Sequence, residues 1–175
     1  MATVLFVLPP HNFRDIEYFA PKLALKEAGH KVVTASKVVD EVYGIESSKV
    51  DVDIHPRDVI VVDYDGVVFI GGTGMIEFAS DFDFTNMAKR FYENGKIVAA
   101  ICSAVGILAR AGILRGKRAA GWQGMSDMIE GGGGEYSPNQ LEISGNVITA
   151  RGPEAAKEFA ETLLRAFAKI GLKDQ

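Results

Sequence analysis

Short apolar runs alternate with segments of helical periodicity along most of this chain. The apolar runs predict strands at 4–8, 31–36, 67–70 and 97–101. A helical pattern between the first two runs, from about Asp15 to Ala28, makes the opening a strand–helix–strand unit. Such a unit requires a right-handed crossover and therefore predicts a parallel sheet.

The first helix has both an apolar face and an interior proline. Its predicted inward face consists of Ile16, Phe19, Ala20, Leu23 and Ala24. Pro21 lies inside the pattern, and an interior proline costs a helix about 3 kcal/mol. We therefore expect a kink or break near Phe19.

Later segments complete an α/β pattern. Helices are predicted at 83–94, from 104 to about 112, at 126–130 and from Pro153 to about Ile170, and a short strand at 117–120. Alternating residues predict two ribbons, 42–46 with 50–54 and 141–144 with 147–150, the second joined by Gly145-Asn146. The glycine run 131–134 has no phosphate-loop lysine after it and is interpreted as a flexible linker.

The only cysteine lies where a predicted strand meets a predicted helix. Cys102 directly follows the run 97–101, and the residues after it take helical spacing. A thiol at such an elbow faces the carboxyl edge of the sheet, near free N–H groups of the helix start. This geometry lowers a thiol's pKa and favours anions, so a reactive thiol is one hypothesis. The alternative is a small buried apolar side chain without chemistry.

Composition limits the classes of function. The 175 residues are enough for one domain, which we expect to span 1–175, and 47% hydrophobic with 24% charged residues is typical of soluble globular proteins. A net charge of −4 argues against nucleic-acid binding, and a single cysteine excludes an internal disulfide framework or thiolate zinc cluster, so no metal is expected. The amino-terminal run is interpreted as a strand rather than a signal peptide, and no apolar run has the length of a membrane span, so a cytoplasmic location is expected.

Nucleotide cofactors are not expected either. The first strand–helix turn, residues 9–13, contains no glycine, so the dinucleotide fingerprint is missing from its required place. Gly71 and Gly72 close a later strand. Glycines there are typical of a tight turn, and they also allow backbone N–H groups to approach a ligand; both interpretations stay open.

Four stretches in this order and spacing resemble the ThiJ/PfpI superfamily over nearly the whole chain. They are Asp15-Ile16-Glu17, Phe69-Ile70-Gly71-Gly72, Ala99-Ala100-Ile101-Cys102 and Thr149-Ala150-Arg151-Gly152-Pro153. The resemblance implies a flavodoxin-like three-layer α/β sandwich with a mostly parallel central sheet and a strand–Cys–helix nucleophile elbow. It also implies a homodimer or higher homo-oligomer.

The resemblance also assigns roles to residues. It implies that Cys102 is the nucleophile, that Glu17 is its acidic partner, and that the N–H groups of Gly72 and Ser103 form an oxyanion site. Arg151 and Pro153 match a segment that lines the pocket or the dimer contact in the family. Gly71 and His11, which we place at the same edge of the sheet, are also expected to line the pocket. A carboxyl beside a thiolate must carry a proton, because two anions would repel each other. Without the resemblance, Glu17 would be interpreted as an ordinary solvated helix residue.

The chain departs from the family at its histidines. PfpI-type peptidases have a histidine directly after the cysteine, where this chain has Ser103, and the human-type members have one near Ala120-Gly121-Trp122. All three histidines of this chain precede Cys102. His30 and His55 are interpreted as surface residues, and His11 either lines the pocket or lies in a surface loop. Because a cysteine–histidine pair is the usual means of hydrolysing amides, peptidase and glutamine amidotransferase activities are disfavoured.

Three hypotheses remain, and an inert thiol in a binding protein stays open beside them. The first is a cofactor-free, glyoxalase- or deglycase-like enzyme in which Cys102 attacks a small reactive aldehyde such as methylglyoxal, giving lactate. The second is a redox or oxidative-stress sensor in which peroxide oxidises Cys102 to a sulfinate without turnover. The third, ranked last, is an intracellular peptidase.

Overall fold

A six-stranded, mostly parallel sheet forms the centre of the molecule in a computed structural model that describes residues 1–170. The strands are β1 (Thr3–Val7), β2 (Lys31–Ala35), β3 (Glu41–Tyr43), β4 (Lys49–Asp51), β5 (Gly66–Phe69), β6 (Ile97–Ile101), β7 (Arg118–Ala119), β8 (Glu135–Tyr136), β9 (Leu141–Ser144) and β10 (Val147–Ala150). The central sheet has the order β2-β1-β5-β6-β10-β9, and only β9 runs antiparallel to its neighbour. This arrangement confirms the predicted flavodoxin-like α/β class.

Helices cover both faces of the sheet, as buried parallel strands require. They are α1 (Asp15–Glu27), α2 (Phe82–Glu93), α3 (Val105–Arg110), α4 (Ser126–Gly131) and α5 (Ala156–Ala168). One apolar core lies between the sheet and α2, α3 and α4. A second core lies between the other face and α1 and α5, which pack against each other.

The strand order determines where a ligand site belongs. The chain reverses its direction of strand addition between β1 and β5, and in such sheets ligands bind at the carboxyl ends beside that switch point. Register places Val7 opposite Phe69, and Phe69 opposite Ala100. The loops that follow β1, β5 and β6 therefore meet at one edge.

Helix α1 differs from its prediction in two respects. It runs through Pro21 without a break, and its predicted face is wrong: Ile16 and Leu23 are 47% and 55% exposed, whereas Tyr18 and Leu25 are buried. Polar partners explain the difference, because the Tyr18 hydroxyl is hydrogen-bonded to Thr34 Oγ1 at 2.7 Å. Apolar periodicity cannot detect a face whose buried members include satisfied polar groups.

The glycine run 131–134 is not a linker. Gly131 ends α4, and the N–H groups of Gly132 and Gly134 donate to the carbonyls of Met128 and Ile129. The run leads into β8, which pairs in parallel with β7 and was not predicted. Gly133 has a φ of +83°, which explains a glycine in this helix-ending turn.

The two predicted ribbons are both present. β3 pairs with β4, and β9 pairs with β10, each antiparallel and each within the predicted limits or one residue outside them. In the part of the chain that the structure describes, no helix has both the length and the apolar character needed to cross a bilayer.

Candidate active site

The elbow at Cys102 is sharply bent. Strand β6 ends at Ile101, a 3-10 turn covers Cys102–Ala104, and α3 begins at Val105. Cys102 has a φ of +62°, a left-handed conformation that is costly for a residue with a side chain. Such strain persists only where the surrounding structure imposes it, and it is frequent at functional sites.

Two glycines after β5 form the wall opposite the thiol. A methyl group at Gly71 would lie 2.7 Å from Cys102 Cβ and 2.8 Å from Glu17 Oε2, closer than carbon atoms pack. Gly72 has a φ of +119°, and a side chain there would lie 2.6 Å from the backbone nitrogen of Arg14. Close approach, as well as turn geometry, therefore explains both glycines.

Glu17 reaches this wall from α1. Its side chain is fully buried, and Oε2 accepts a hydrogen bond of 3.0 Å from the Gly71 N–H. Among residues 1–170, Glu17 Oε1 has no hydrogen-bond partner of standard geometry. The carboxyl and the Cys102 thiol nevertheless interact, and each shifts the pKa of the other. The structure therefore brings Glu17 and Cys102 together against Gly71, and their roles as acid and nucleophile remain predictions.

The two groups titrate as a coupled pair. Burial raises the pKa of Glu17 to about 7, against a smaller opposing effect of its interaction with Cys102 and the Gly71 N–H. Burial, and after it the negative charge of Glu17, raise the pKa of the Cys102 thiol to about 12. The expected lowering of the thiol pKa is therefore wrong, because desolvation outweighs the donors of the elbow.

The charge of Glu17 determines how the thiol behaves. When the carboxyl carries a proton, the repulsion that it exerts on a thiolate disappears. One proton shared by two strongly interacting groups belongs to the pair rather than to either residue. The pair is therefore expected to interact most favourably when Glu17 and Cys102 together hold one proton.

Backbone amides face the sulfur as well. The N–H groups of Gly72 and Ser103 lie near enough to Cys102 to lower the pKa of its thiol, although less than burial raises it. The Ser103 hydroxyl donates to the Gly72 carbonyl at 2.8 Å, which fixes one amide relative to the other. These are the two amides predicted for an oxyanion site, and that role remains a prediction.

The other predicted pocket residues lie at the same edge with different partners. His11 follows β1, is exposed, and its Nε2 lies 3.1 Å from Glu77 Oε1. Arg151 follows β10, and its Nε lies 3.6 Å from a carboxylate oxygen of Glu154. Pro153 begins the 3-10 turn that precedes α5. A pocket-lining role for His11, Arg151 and Pro153 remains a prediction.

Within residues 1–170, no histidine is hydrogen-bonded to Cys102. His30 Nδ1 accepts from the Ala2 N–H at 3.0 Å, and His55 Nδ1 accepts from the Arg57 N–H at 3.2 Å. We predicted that His30 and His55 face solvent, and the structure supports this only in part, because both are half-buried. Trp122, near the position where the human-type proteins have histidine, donates its backbone N–H to the Cys102 carbonyl at 3.2 Å.

Arg14 is the residue that sequence reasoning missed. Its N–H donates to the Gly71 carbonyl at 3.0 Å, and its positive charge lowers the pKa of Glu17 against the larger effect of burial. The only available signal was its position immediately before the Asp15-Ile16-Glu17 motif.

A cavity lies away from Cys102. It has a volume of about 850 Å³ and is lined by Lys96, Ile97 and Arg165, among others; Lys96 directly precedes the amino end of β6, at the edge opposite Cys102. Within residues 1–170, no three His, Cys, Asp or Glu side chains are placed to hold one metal ion.

Sequence and structure comparisons with known proteins agree with the fold described above. Residues 2–166 match the DJ-1/PfpI family. An uncharacterized protein of Methanocaldococcus jannaschii is 35% identical, covering 96% of this chain and 83% of that protein, and a deglycase of Pyrococcus horikoshii is 31% identical over 86% and 90%. The crystal structure of a ThiJ/PfpI domain protein from Brachyspira murdochii superposes with a TM-score of 0.93 at 32% identity, covering 95% of this chain and 96% of that one. The chain belongs to the DJ-1/PfpI family.

Proposed function

We propose that this protein is a cofactor-free cysteine enzyme that acts on small reactive carbonyl compounds, converting methylglyoxal to lactate. The observation that carries the proposal is the fully buried Glu17 carboxyl, with its pKa raised to about 7, beside the elbow thiol. A general acid–base group works best when its pKa lies near the operating pH. The name of the Pyrococcus horikoshii deglycase supports carbonyl chemistry in a relative.

The first step is addition of the thiol to the aldehyde. A carbon–sulfur bond forms as the carbonyl π bond opens, and the thiol proton reaches the oxygen by way of Glu17, giving a hemithioacetal. The N–H groups of Gly72 and Ser103 lie near enough to the thiol to lower its pKa, so they are available to an oxyanion that forms beside the sulfur. No leaving amine has to be protonated, so no histidine is needed.

The second stage is an isomerisation followed by hydrolysis. The Glu17 carboxylate removes the proton from the former aldehyde carbon and returns it to the neighbouring ketone carbon. The product is a thioester of Cys102 with lactate. Water then cleaves the carbon–sulfur bond, releasing lactate and restoring the thiol, so methylglyoxal plus water balances as lactic acid.

The test is lactate production from methylglyoxal. Cys102→Ala should abolish enzymatic lactate, whereas Ser80→Ala, at an exposed site bonded to the Arg110 side chain, should behave as wild type. Equal rates with and without the thiol, in proteins with the same circular dichroism spectrum, would exclude the proposal.

A second function, redox sensing, is supported by the same donors. Two peroxide molecules would each deliver one oxygen atom and leave as water, converting the thiol to a sulfinate. Sulfinate oxygens can accept from the Gly72 and Ser103 amides and from protonated Glu17. Mass spectrometry after mild peroxide should then show two added oxygens on Cys102, and an unmodified thiol would reject this function.

Peptide hydrolysis is the weakest of the three functions. None of the three histidines of the chain is hydrogen-bonded to Cys102, and His11 is engaged with Glu77. Without an imidazolium to protonate a leaving amine, a thiol of raised pKa is a poor peptidase nucleophile.

A further inference from the structure

Arg14 is a cation close enough to Glu17 to lower its pKa, and its side chain has unused hydrogen-bonding capacity. Its Nε is withdrawn from solvent and, among residues 1–170, has no hydrogen-bond partner. A buried donor without a partner costs about 1–3 kcal/mol and calls for an explanation. Structures retain such a group where a ligand completes its bonding.

The backbone of Arg14 is fixed against the wall of the site. Its N–H donates to the Gly71 carbonyl, and its own carbonyl accepts from the Glu17 N–H at 3.1 Å. Gly71 is the residue whose Cα faces both Cys102 Cβ and Glu17 Oε2. A single backbone hydrogen bond therefore joins Arg14 to Gly71, and Gly71 faces both proposed reacting groups, the Cys102 thiol and the Glu17 carboxyl.

The acidic groups of this region leave Arg14 available. Glu154 lies 3.6 Å from Arg151 Nε, and Glu17 is hydrogen-bonded to Gly71. Within residues 1–170, the guanidinium of Arg14 forms no ion pair, unlike those of Arg57, Arg118 and Arg151. A planar guanidinium matches the geometry of a carboxylate better than any other side chain does.

We propose that Arg14 binds a carboxylate next to the Cys102 thiol, so small aldehydes that carry a carboxylate beside the reacting carbon add to the thiol more readily than neutral ones do. Such a compound forms the hemithioacetal but, having no neighbouring ketone carbon, does not go on to isomerise, so it acts as a ligand of the site. This inference rests on the proposed carbonyl chemistry. The thiol adds to the carbonyl as described above, while Arg14 holds the carboxylate and orients the carbon toward the sulfur. Glyoxylate is the smallest compound of this class and serves as the probe.

The first experiment measures charge selectivity at the thiol without requiring turnover. Cys102 is alkylated in parallel with iodoacetate, which is anionic, and with iodoacetamide, which is neutral and of nearly the same size. The ratio of the two rates cancels any change in thiolate fraction, so it reports only the local preference for an anion. In Arg14→Gln this ratio should fall by about tenfold, the size of one charge-assisted hydrogen bond.

The control is Arg165→Gln, which removes the same charge at the opposite edge, where Arg165 donates only to Thr162 Oγ1 among residues 1–170. Its alkylation ratio should equal that of wild type. Arg14→Lys should give an intermediate ratio, because it keeps the charge and loses the planar pair of donors. If Arg14→Gln does not fold, added salt should slow iodoacetate but not iodoacetamide in the wild-type protein.

The second experiment measures protection of Cys102 from iodoacetamide by glyoxylate and by neutral glyoxal. Wild type should be protected at lower concentrations of glyoxylate, and Arg14→Gln should lose that preference. An alkylation ratio unchanged by Arg14→Gln would overturn the role of Arg14, even if lactate is produced from methylglyoxal. A lowered ratio with no turnover would instead keep the anion subsite and reject the proposed enzyme.

Discussion

Two carboxyl groups at the start of α1 behave in opposite ways although they are only two residues apart. Both side chains are shielded from solvent, Asp15 with 4% of its surface exposed and Glu17 with none, but the Glu17 carboxyl lies much deeper in the protein. The pKa of Asp15 is nevertheless lowered, while that of Glu17 is raised to about 7. The region around Asp15 is built to hold a charge, and the region around Glu17 is built to hold a proton.

Depth of burial and hydrogen-bond donors together make the difference. Burial by itself raises the pKa of Asp15, but Ser48 and the Glu46 N–H outweigh it, with Glu46 N at 2.9 Å from Oδ2. This carboxylate thereby fastens the loop between β3 and β4 to the helix. Glu17 lies deeper and receives one backbone donor, from Gly71, so desolvation prevails. A buried acid is held charged where donors outweigh desolvation and is held neutral where they do not.

The largest expected consequence concerns catalysis. Glu17→Gln keeps the shape and the acceptor for Gly71 but cannot move a proton, so kcat/KM for methylglyoxal should fall by about a hundredfold to ten-thousandfold. Asp15→Asn should stay within about threefold of wild type per folded molecule, since the Asp15 carboxyl faces the 44–48 loop. Equal losses in both variants would show that Glu17 acts through structure rather than chemistry.

The next effect is on stability and depends on pH. The pKa of Glu17 is 4.5 when unperturbed and about 7 in the folded protein, so the folded state holds its proton more tightly. The stability that this proton contributes is complete below the unperturbed value and is lost as pH rises through about 7. The side chain in Glu17→Gln does not titrate, so this variant does not lose that stability. The difference between its free energy of unfolding and that of wild type should therefore shift in favour of the variant by up to ~3 kcal/mol from about pH 4 to pH 8.

Urea unfolding at several pH values measures this gain. A constant difference between Glu17→Gln and wild type across that pH range would mean that the folded pKa of Glu17 is not raised. Cys102→Ser serves as the matched control, because it retains the titrating carboxyl and should preserve the wild-type pH dependence.

Asp15→Asn should show the reverse sign. The pKa of Asp15 is lowered in the folded state, so its stabilisation is present above its ordinary range and is lost as pH falls through the folded value. Near neutral pH the variant should lose about 1–3 kcal/mol, because hydrogen bonds to a buried carboxylate are replaced by weaker ones. The loss should shrink on acidification, and an equal loss at about pH 3 would contradict the assignment.

This contrast also explains how much of the site the sequence could predict. The apolar runs determine the strands, since only buried parallel strands are apolar on both faces, and Cys102 necessarily follows β6. The pairing of Cys102 with Glu17 came from the resemblance, because nothing in the helical pattern places a glutamate inward. The exposed Ile16 and Leu23 show that the pattern alone would have oriented α1 incorrectly.

The direction of the pKa shift of the thiol could not be predicted. The elbow argument counted donors near the thiol, but the raised pKa of Cys102 depends first on desolvation and then on the charge of Glu17. Arg14 was missed for a similar reason. Its importance comes from the contact of its backbone with Gly71, a residue 57 positions away in the sequence, which no local pattern records.

The smallest effect isolates charge from burial. Two charges of opposite sign act on Glu17. The exposed carboxylate of Glu154 raises the pKa of Glu17 and is the weakest of the causes acting on it, whereas Arg14 lowers that pKa.

If turnover requires the singly protonated pair, kcat/KM should rise with pH through about 7. Glu154→Gln should move this rise to lower pH by less than about half a unit, the size expected of one solvent-screened charge. Arg14→Gln should move it to higher pH. Shifts in the same direction for both variants would show that packing, not charge, tunes Glu17, because the two substitutions remove opposite charges.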